Sequence, residues 1–122
     1  MIPSDNTDIS IPKRLHYPLE VFRKHIQTID RLNPVKGAAI AEGLSTWCKV
    51  NITEPDVRTM VSYLRAAEWM PIGSDNNGYF FARERFELKT TKQHLQGRIN
   101  QMKAVLDGLE KSIRGDTQGS IF

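Results

Sequence analysis

The sequence predicts a mainly α fold with a small β-hairpin and a long C-terminal helix. Apolar residues recur at helical spacing in the first two thirds of the chain, and the period then changes to that of strands around Asn77-Gly78. Near the C terminus, apolar residues repeat every seven positions. A length of 122 residues with 39% hydrophobic residues fits one domain with an appended element.

The first 32 residues contain an arm and then a helix. Three prolines and the absence of periodicity predict a flexible arm over residues 1–18. Residues 19–32 carry one apolar face and are expected to form a helix that ends before Pro34. The apolar face of this predicted helix consists of Val21, Phe22, Ile26, Ile29 and Leu32.

Two more helices are predicted before the hairpin. Residues 37–40 fit either a short strand or the lead into a helix, and residues 42–48 fit a brief second helix. The third helix has the clearest start: Thr53 is placed to cap it, Pro55 falls in the first turn, and Glu54 and Asp56 suit the positive end of the helix dipole. It is expected to run to Trp69, with an apolar stripe of Val57, Met60, Val61, Leu64 and Ala67.

The hairpin completes a recognisable order of elements. A turn over residues 74–78 separates an incoming segment from a strand over residues 79–82. A helix, a short helix, a capped helix and a hairpin, in that order, predict a winged helix-turn-helix domain over residues 19–83. We expect its aromatic residues to lie in the core rather than to stack on bases: Trp47, Trp69, Tyr79, Phe80 and Phe81.

Residues 84–114 are predicted to form a coiled-coil helix, followed by a flexible tail over residues 115–122. Isoleucine at position a and leucine at position d favour a parallel dimer, but Arg98 would then face Lys103 of the other chain. An antiparallel pair, a larger bundle and a helix folded back on its own domain therefore stay open. The predicted oligomerisation residues are Leu88, Leu95, Ile99, Met102, Leu106, Leu109 and Ile113.

A winged helix-turn-helix binds double-stranded DNA by placing its third helix in the major groove and its hairpin beside it. The chain has a formal net charge of +3, and its excess of cations lies from Arg83 onward, where any nonspecific attraction to phosphates should be centred. Alternatively, Arg58 and Arg65 pair with Glu54, Asp56 or Glu68. The predicted DNA-binding residues are Arg58, Thr59, Ser62, Arg65, Asn76, Asn77, Arg83, Arg85 and Lys89.

The segment from Glu54 to Ile99 is similar to small winged-helix proteins encoded by phages and prophages. In those proteins a helix of the form R-x-x-V-x-x-L-R leads into P-I-x-S-x-x-x-G-Y-(F/Y)-x-A, and a long helix with L-x-x-R follows. The resemblance implies an oligomeric, DNA-associated role in phage replication initiation or transcriptional regulation. The matching residues are Arg58, Val61, Leu64, Arg65, Pro71, Ile72, Ser74, Gly78, Tyr79, Phe80, Ala82, Leu95 and Arg98.

Other function classes are disfavoured by the inventory of residues. His16, His25 and His94 are scattered without metal-ligand spacing, and Cys48 is the only cysteine, expected to be buried. No Gly-rich phosphate loop is present, so we expect no enzyme, no cofactor and no metal. Without a signal peptide or an apolar run long enough for a bilayer, we expect no membrane contact and a cytoplasmic location, the host's if the chain is phage-encoded. The alternative function is an adaptor, a helicase-loading or assembly factor, whose partner is a protein such as a replication protein.

Overall fold

The computed structural model describes residues 9–114 and is mainly helical, with one two-stranded antiparallel sheet. It divides into two compact units between Thr90 and Thr91. The elements in chain order are α1 (His16–Ile26), α2 (Gly37–Cys48), α3 (Glu54–Ala67), β1 (Ile72–Asp75), β2 (Gly78–Phe81) and α4 (Lys89–Ile113), with short 3-10 helices at Lys13–Leu15 and Arg85–Leu88. The predicted mixture of helices, a hairpin and a long C-terminal helix is confirmed.

The core of the first unit lies between α1, α2, α3 and the hairpin. Each helix contributes the residues of one face, as helical spacing predicts, and the hairpin contributes Ile72 from β1 and Phe80 from β2. The predicted stripe of α3 is buried throughout, from Val57 to Ala67. The largest fully buried side chains are Phe22, Phe80, Leu15, Ile26, Met60 and Leu64.

The sheet is extended by one residue from the segment between α1 and α2. Val35 exchanges both backbone hydrogen bonds with Tyr79, at 3.0 and 2.8 Å, and the amide of Phe81 donates to the carbonyl of Ile29 at 2.8 Å. On its other side β2 pairs with β1, in a register that places Ile72 opposite Phe81 and Asp75 opposite Gly78. The hairpin is therefore held against the segment that leads from α1 into α2.

The turn between α2 and α3 is fixed by side chains. Lys49 adopts the left-handed conformation that ends α2, with φ 58°. The Ser45 hydroxyl donates to the carbonyl of Ala41 at 2.8 Å and accepts from the amide of Ile52, also at 2.8 Å. Because these bonds satisfy backbone groups of the turn, they hold α3 at a defined angle to α2.

Two predicted boundaries near the N terminus are wrong. The arm was expected to reach residue 18, yet residues 13–18 are helical, and Leu15 is fully buried. The first helix was expected to reach Leu32 but ends at Ile26, because the Asp30 carboxylate accepts from the backbone amides of residues 32 and 33 and folds that segment into a turn. Leu32 is consequently 86% exposed.

Other boundaries differ by less. Helix α2 begins at Gly37, so the helical alternative for residues 37–40 is the observed one, and α3 ends at Ala67 rather than Trp69. The last helix begins at Lys89, because residues 85–88 form a 3-10 helix. Leu88 packs against the core of the first unit, so it does not belong with the heptad residues of α4. The predicted tail, residues 115–122, lies outside the described residues.

Candidate functional site

A groove of about 320 Å³ lies where α3 meets the hairpin. Its walls come from the start of α2, the first turns of α3 and the turn between β1 and β2. Two cations, Lys36 and Arg58, and two anions, Glu54 and Asp75, line it. The groove therefore joins two segments that the sequence predicted to act together, the exposed face of α3 and the tip of the hairpin.

The hairpin turn that closes the groove is held by its own hydrogen bonds. The Asp75 carboxylate accepts from the amide of Asn77 at 2.7 Å, and the Asn76 carbonyl accepts from the Lys36 ammonium at 3.3 Å. Asn76 and Asn77 are both exposed. The turn thus presents two amide side chains to solvent at a fixed place beside α3.

The open face of α3 carries three of the predicted residues. Arg58 is exposed and lines the groove, and within residues 9–114 no hydrogen bond or ion pair holds its guanidinium. Thr59 and Ser62 are half-buried. A long cationic side chain with free donors at the groove wall can donate hydrogen bonds to a phosphate or to the edge of a base.

Arg65 is turned toward the hairpin instead. Its Nε donates to the carbonyl of Ile72 at 2.8 Å, and its Nη2 approaches the Ser74 hydroxyl at 3.3 Å. The guanidinium therefore ties the last turns of α3 to β1. The sequence could not distinguish this role from a ligand contact, because Arg58 and Arg65 both fall outside the apolar stripe.

The carboxylate at the start of α3 is neutralised by an arginine from the N-terminal segment. Arg14 donates to both carboxylate oxygens of Asp56, at 3.1 and 2.7 Å, and Asp56 also forms a capping box with Thr53. The hydrogen bond from the Arg14 guanidinium is the largest cause that lowers the pKa of Asp56, to about 2. Of the acidic residues in this first turn, Glu54 keeps its exposed position at the groove.

The other end of α3 is paired in the same way. Arg23 of α1 donates to both carboxylate oxygens of Glu68, at 2.8 and 2.6 Å, and also pairs with Glu20. These hydrogen bonds raise the pKa of Arg23. The alternative expectation, that Arg58 and Arg65 pair with Asp56 or Glu68, is therefore wrong for both carboxylates. The pairs join residues 42 and 45 positions apart, a separation at which the sequence carries no signal.

The three predicted basic residues after the hairpin have different surroundings. Arg83 donates to the carbonyl of Gln27 at 2.6 Å and lies 5.1 Å from the centre of the Phe81 ring. Arg85 and Lys89 are exposed. None of the three lines the groove, whose lining includes Arg58 and Asn76 from the predicted set.

Two tryptophans expected in the core lie on the surface. Trp47 is 69% exposed and Trp69 is 64% exposed, whereas Phe80 is buried as expected and Tyr79 and Phe81 are half-buried. Trp47 lines an apolar groove of about 330 Å³ between α1 and α2. This second groove is a surface that sequence reasoning missed, because an aromatic residue at the edge of an apolar helix face looks the same whether or not it is covered.

The apolar heptad residues of α4 are exposed on the second unit. Their exposed fractions range from 36% at Leu95 to 80% at Ile113. Val105 lies beside them and is 64% exposed. A contiguous apolar stripe of this kind on a helix is characteristic of an interaction surface.

Three other features of the described residues bear on function. Cys48, expected to be buried, is partly exposed, and desolvation raises the pKa of its thiol. Across residues 9–114 no group of three His, Cys, Asp or Glu side chains is placed to hold a metal ion. In the same span no helix combines the length and apolar character needed to cross a bilayer.

Comparisons of the chain with protein-family models, with curated proteins and with solved structures gave no match.

Proposed function

We propose that this chain is an oligomeric winged-helix protein that binds double-stranded DNA through the groove between α3 and the hairpin. The observation that carries the proposal is the shared groove, in which Arg58 of α3 stands beside the exposed turn of the hairpin. A helix fits the major groove of B-DNA and a hairpin beside it reaches the backbone, so this pairing of elements suits a duplex.

Three further observations support the proposal. The element order, with Val35 joined to β2, supports the proposal of a winged helix. Arg14 and Arg23 neutralise the carboxylates at the two ends of α3, which lowers the repulsion that these groups would exert on phosphates. The exposed stripe of α4 supports self-association, which would present two grooves to one duplex. A role in phage replication initiation or transcriptional regulation is what the resemblance implies.

Arg58→Ala is expected to weaken binding to a fluorescent duplex about tenfold, because the variant loses one charge-assisted contact to DNA. Anisotropy titrations at about 50 mM and about 200 mM NaCl should also show a weaker salt dependence. The slope of the logarithm of the binding constant against the logarithm of the salt concentration should be smaller by about one for the variant. Because Arg58 is exposed and has no partner among residues 9–114, the stability of the variant should stay within about 0.5 kcal/mol of wild type.

The matched control is Lys24→Ala, which removes the same charge from an exposed position on α1 outside the groove. This variant should bind the duplex within about twofold of wild type, the change expected when only net charge is altered. Equal losses in the two variants would assign binding to net charge and not to the groove. No binding by the wild-type chain at the lower salt concentration would reject the DNA-binding proposal.

A second candidate function, a protein-interaction adaptor, is favoured by the exposure of Trp47. A tryptophan that is 69% exposed at the edge of an apolar groove resembles the aromatic residues that dominate protein interfaces. On this reading the partner's apolar side chain would enter the groove between α1 and α2, which Arg58 does not line.

The adaptor proposal predicts that two variants differ in their ability to capture a protein partner. After nuclease treatment, a protein partner captured from a host lysate should be lost with Trp47→Ala and retained with Arg58→Ala. Because Trp47 is exposed, Trp47→Ala should leave the fold intact, with a free energy of unfolding within about 0.5 kcal/mol of wild type. Retention of the partner by Trp47→Ala would count against this groove as the docking site.

A further inference from the structure

We infer that α4 pairs with α4 of a second copy of this chain in an antiparallel orientation. This inference deepens the self-association included in the proposed function and rests on it. The helix spans 25 residues, and its apolar stripe, from Leu95 to Ile113, is exposed on the unit that contains it. The stripe therefore requires a partner, and the distribution of charge along α4 indicates which one.

The two halves of α4 differ in charge. The first fifteen residues of α4 (89–103) contain four cations and no acidic residue, whereas the last ten (104–113) contain Asp107, Glu110 and Lys111, a net charge of −1, with Lys111 paired to Asp107 at 3.3 Å. In a parallel pair the two cationic halves would lie side by side. In an antiparallel pair each cationic half lies along the half of the other copy that carries the carboxylates, which lowers the repulsion.

One antiparallel register also covers every apolar heptad residue. In this register an a position of one helix packs against a d position of the other, and the numbers of the two residues in each layer add to 208. Six apolar layers then form along the pair. The overlap from residue 95 to residue 113 is about 27 Å long at 1.5 Å per residue. The layers are Leu95 with Ile113, Ile99 with Leu109 and Met102 with Leu106, each occurring twice.

Lys92 distinguishes the two orientations. It occupies an a position, so a parallel pair in register would bury it against its own copy. The antiparallel register leaves it beyond the last apolar layer. A parallel pair would also bring Arg98 against Lys103 twice, whereas the antiparallel pair has one like-charge contact, between the two copies of Lys103, at its solvated edge.

The residues beside the seam agree with the antiparallel register. Val105, which is 64% exposed on α4, meets Val105 of the second copy near the two-fold axis and widens the apolar contact. Gln96 faces Glu110 of the second copy. Gly97 and Gly108 have open space around their Cα atoms and lie away from the seam, so they leave the contact unbroken.

Cysteine cross-linking of the full chain tests the orientation without using DNA. In a Cys48→Ser background, Val105→Cys should form a disulfide-linked dimer on mild oxidation, because the two copies of this position meet. Leu95→Cys alone should not, because its two copies lie about 27 Å apart along the axis. The double variant Leu95→Cys with Ile113→Cys should cross-link again, which shows that the Leu95 position is reactive when its partner carries a thiol.

Several results would overturn the inference. Cross-linking by Leu95→Cys alone, with none by Val105→Cys, would establish a parallel pair. Sedimentation of the wild-type chain as a 13.9 kDa monomer, or as an assembly larger than two chains, would reject a two-stranded pair. Because the DNA titration is a separate measurement, a failure here is distinguished from a failure of the groove to bind a duplex.

Discussion

Gly78→Ala is expected to destabilise the first unit by about 3 kcal/mol or more, through strain and overlap together. Gly78 has φ 137°, a conformation that residues with a side chain rarely adopt. A Cβ atom there would overlap the carbonyl of Val35 and lie 2.7 Å from the amide nitrogen of Lys36. These are backbone atoms of the segment that bonds to β2, so they cannot move aside without breaking the Val35–Tyr79 bridge.

The control for this prediction is Gly43→Ala in the same unit. Gly43 lies inside α2 with open space around it, so alanine should stabilise the unit by about 1 kcal/mol through helix propensity. Urea unfolding of both variants, followed by circular dichroism, gives the two free energies. A Gly78→Ala variant as stable as wild type would show that the close contact between the hairpin and residues 35–36 is absent in solution.

Hydrophobic periodicity predicted most of the fold because the buried faces are local patterns. The stripe of α3 from Val57 to Ala67 and the change of period at the hairpin both follow from which side chains must leave water. The end of α1 was missed because Ile29 is buried although it lies outside the helix, so its spacing was consistent with a longer helix. Burial alone does not distinguish these two conformations.

The candidate site was less predictable because its polar contacts join distant parts of the chain. Sequence identified Arg58 as a surface residue of α3, and the structure agrees. It could not predict that Arg65 would bond to Ile72, or that Arg14 would reach Asp56 across 42 positions. Trp47 was expected in the core because hydrophobicity measures a tendency to be buried and not the presence of a neighbour that covers the residue.

Asp56→Ala is expected to lower the free energy of unfolding by about 2 kcal/mol at pH 7. The change removes the bidentate pair with Arg14 and the side-chain half of the capping box with Thr53. The loss is limited because Arg14 is 55% exposed on its side chain, so water screens the pair. Asp56→Asn is the matched control: it keeps an oxygen for the Thr53 amide but removes the charge, so it should lose less.

The effect of Asp56→Ala should depend on pH in a defined direction. The pKa of Asp56 is about 2 in the folded chain, below the value of about 3.9 expected when the chain is unfolded. A carboxyl group with a lowered folded pKa contributes its full stability above the unfolded value and loses it as the pH falls toward the folded value. The difference between wild type and Asp56→Ala should therefore be constant from pH 7 to about pH 5 and shrink between about pH 4 and pH 2. Unfolding curves across this range measure it, and a difference that stays constant to the lowest pH would mean that the charge of Asp56, and with it the ion pair with Arg14, contributes nothing to stability.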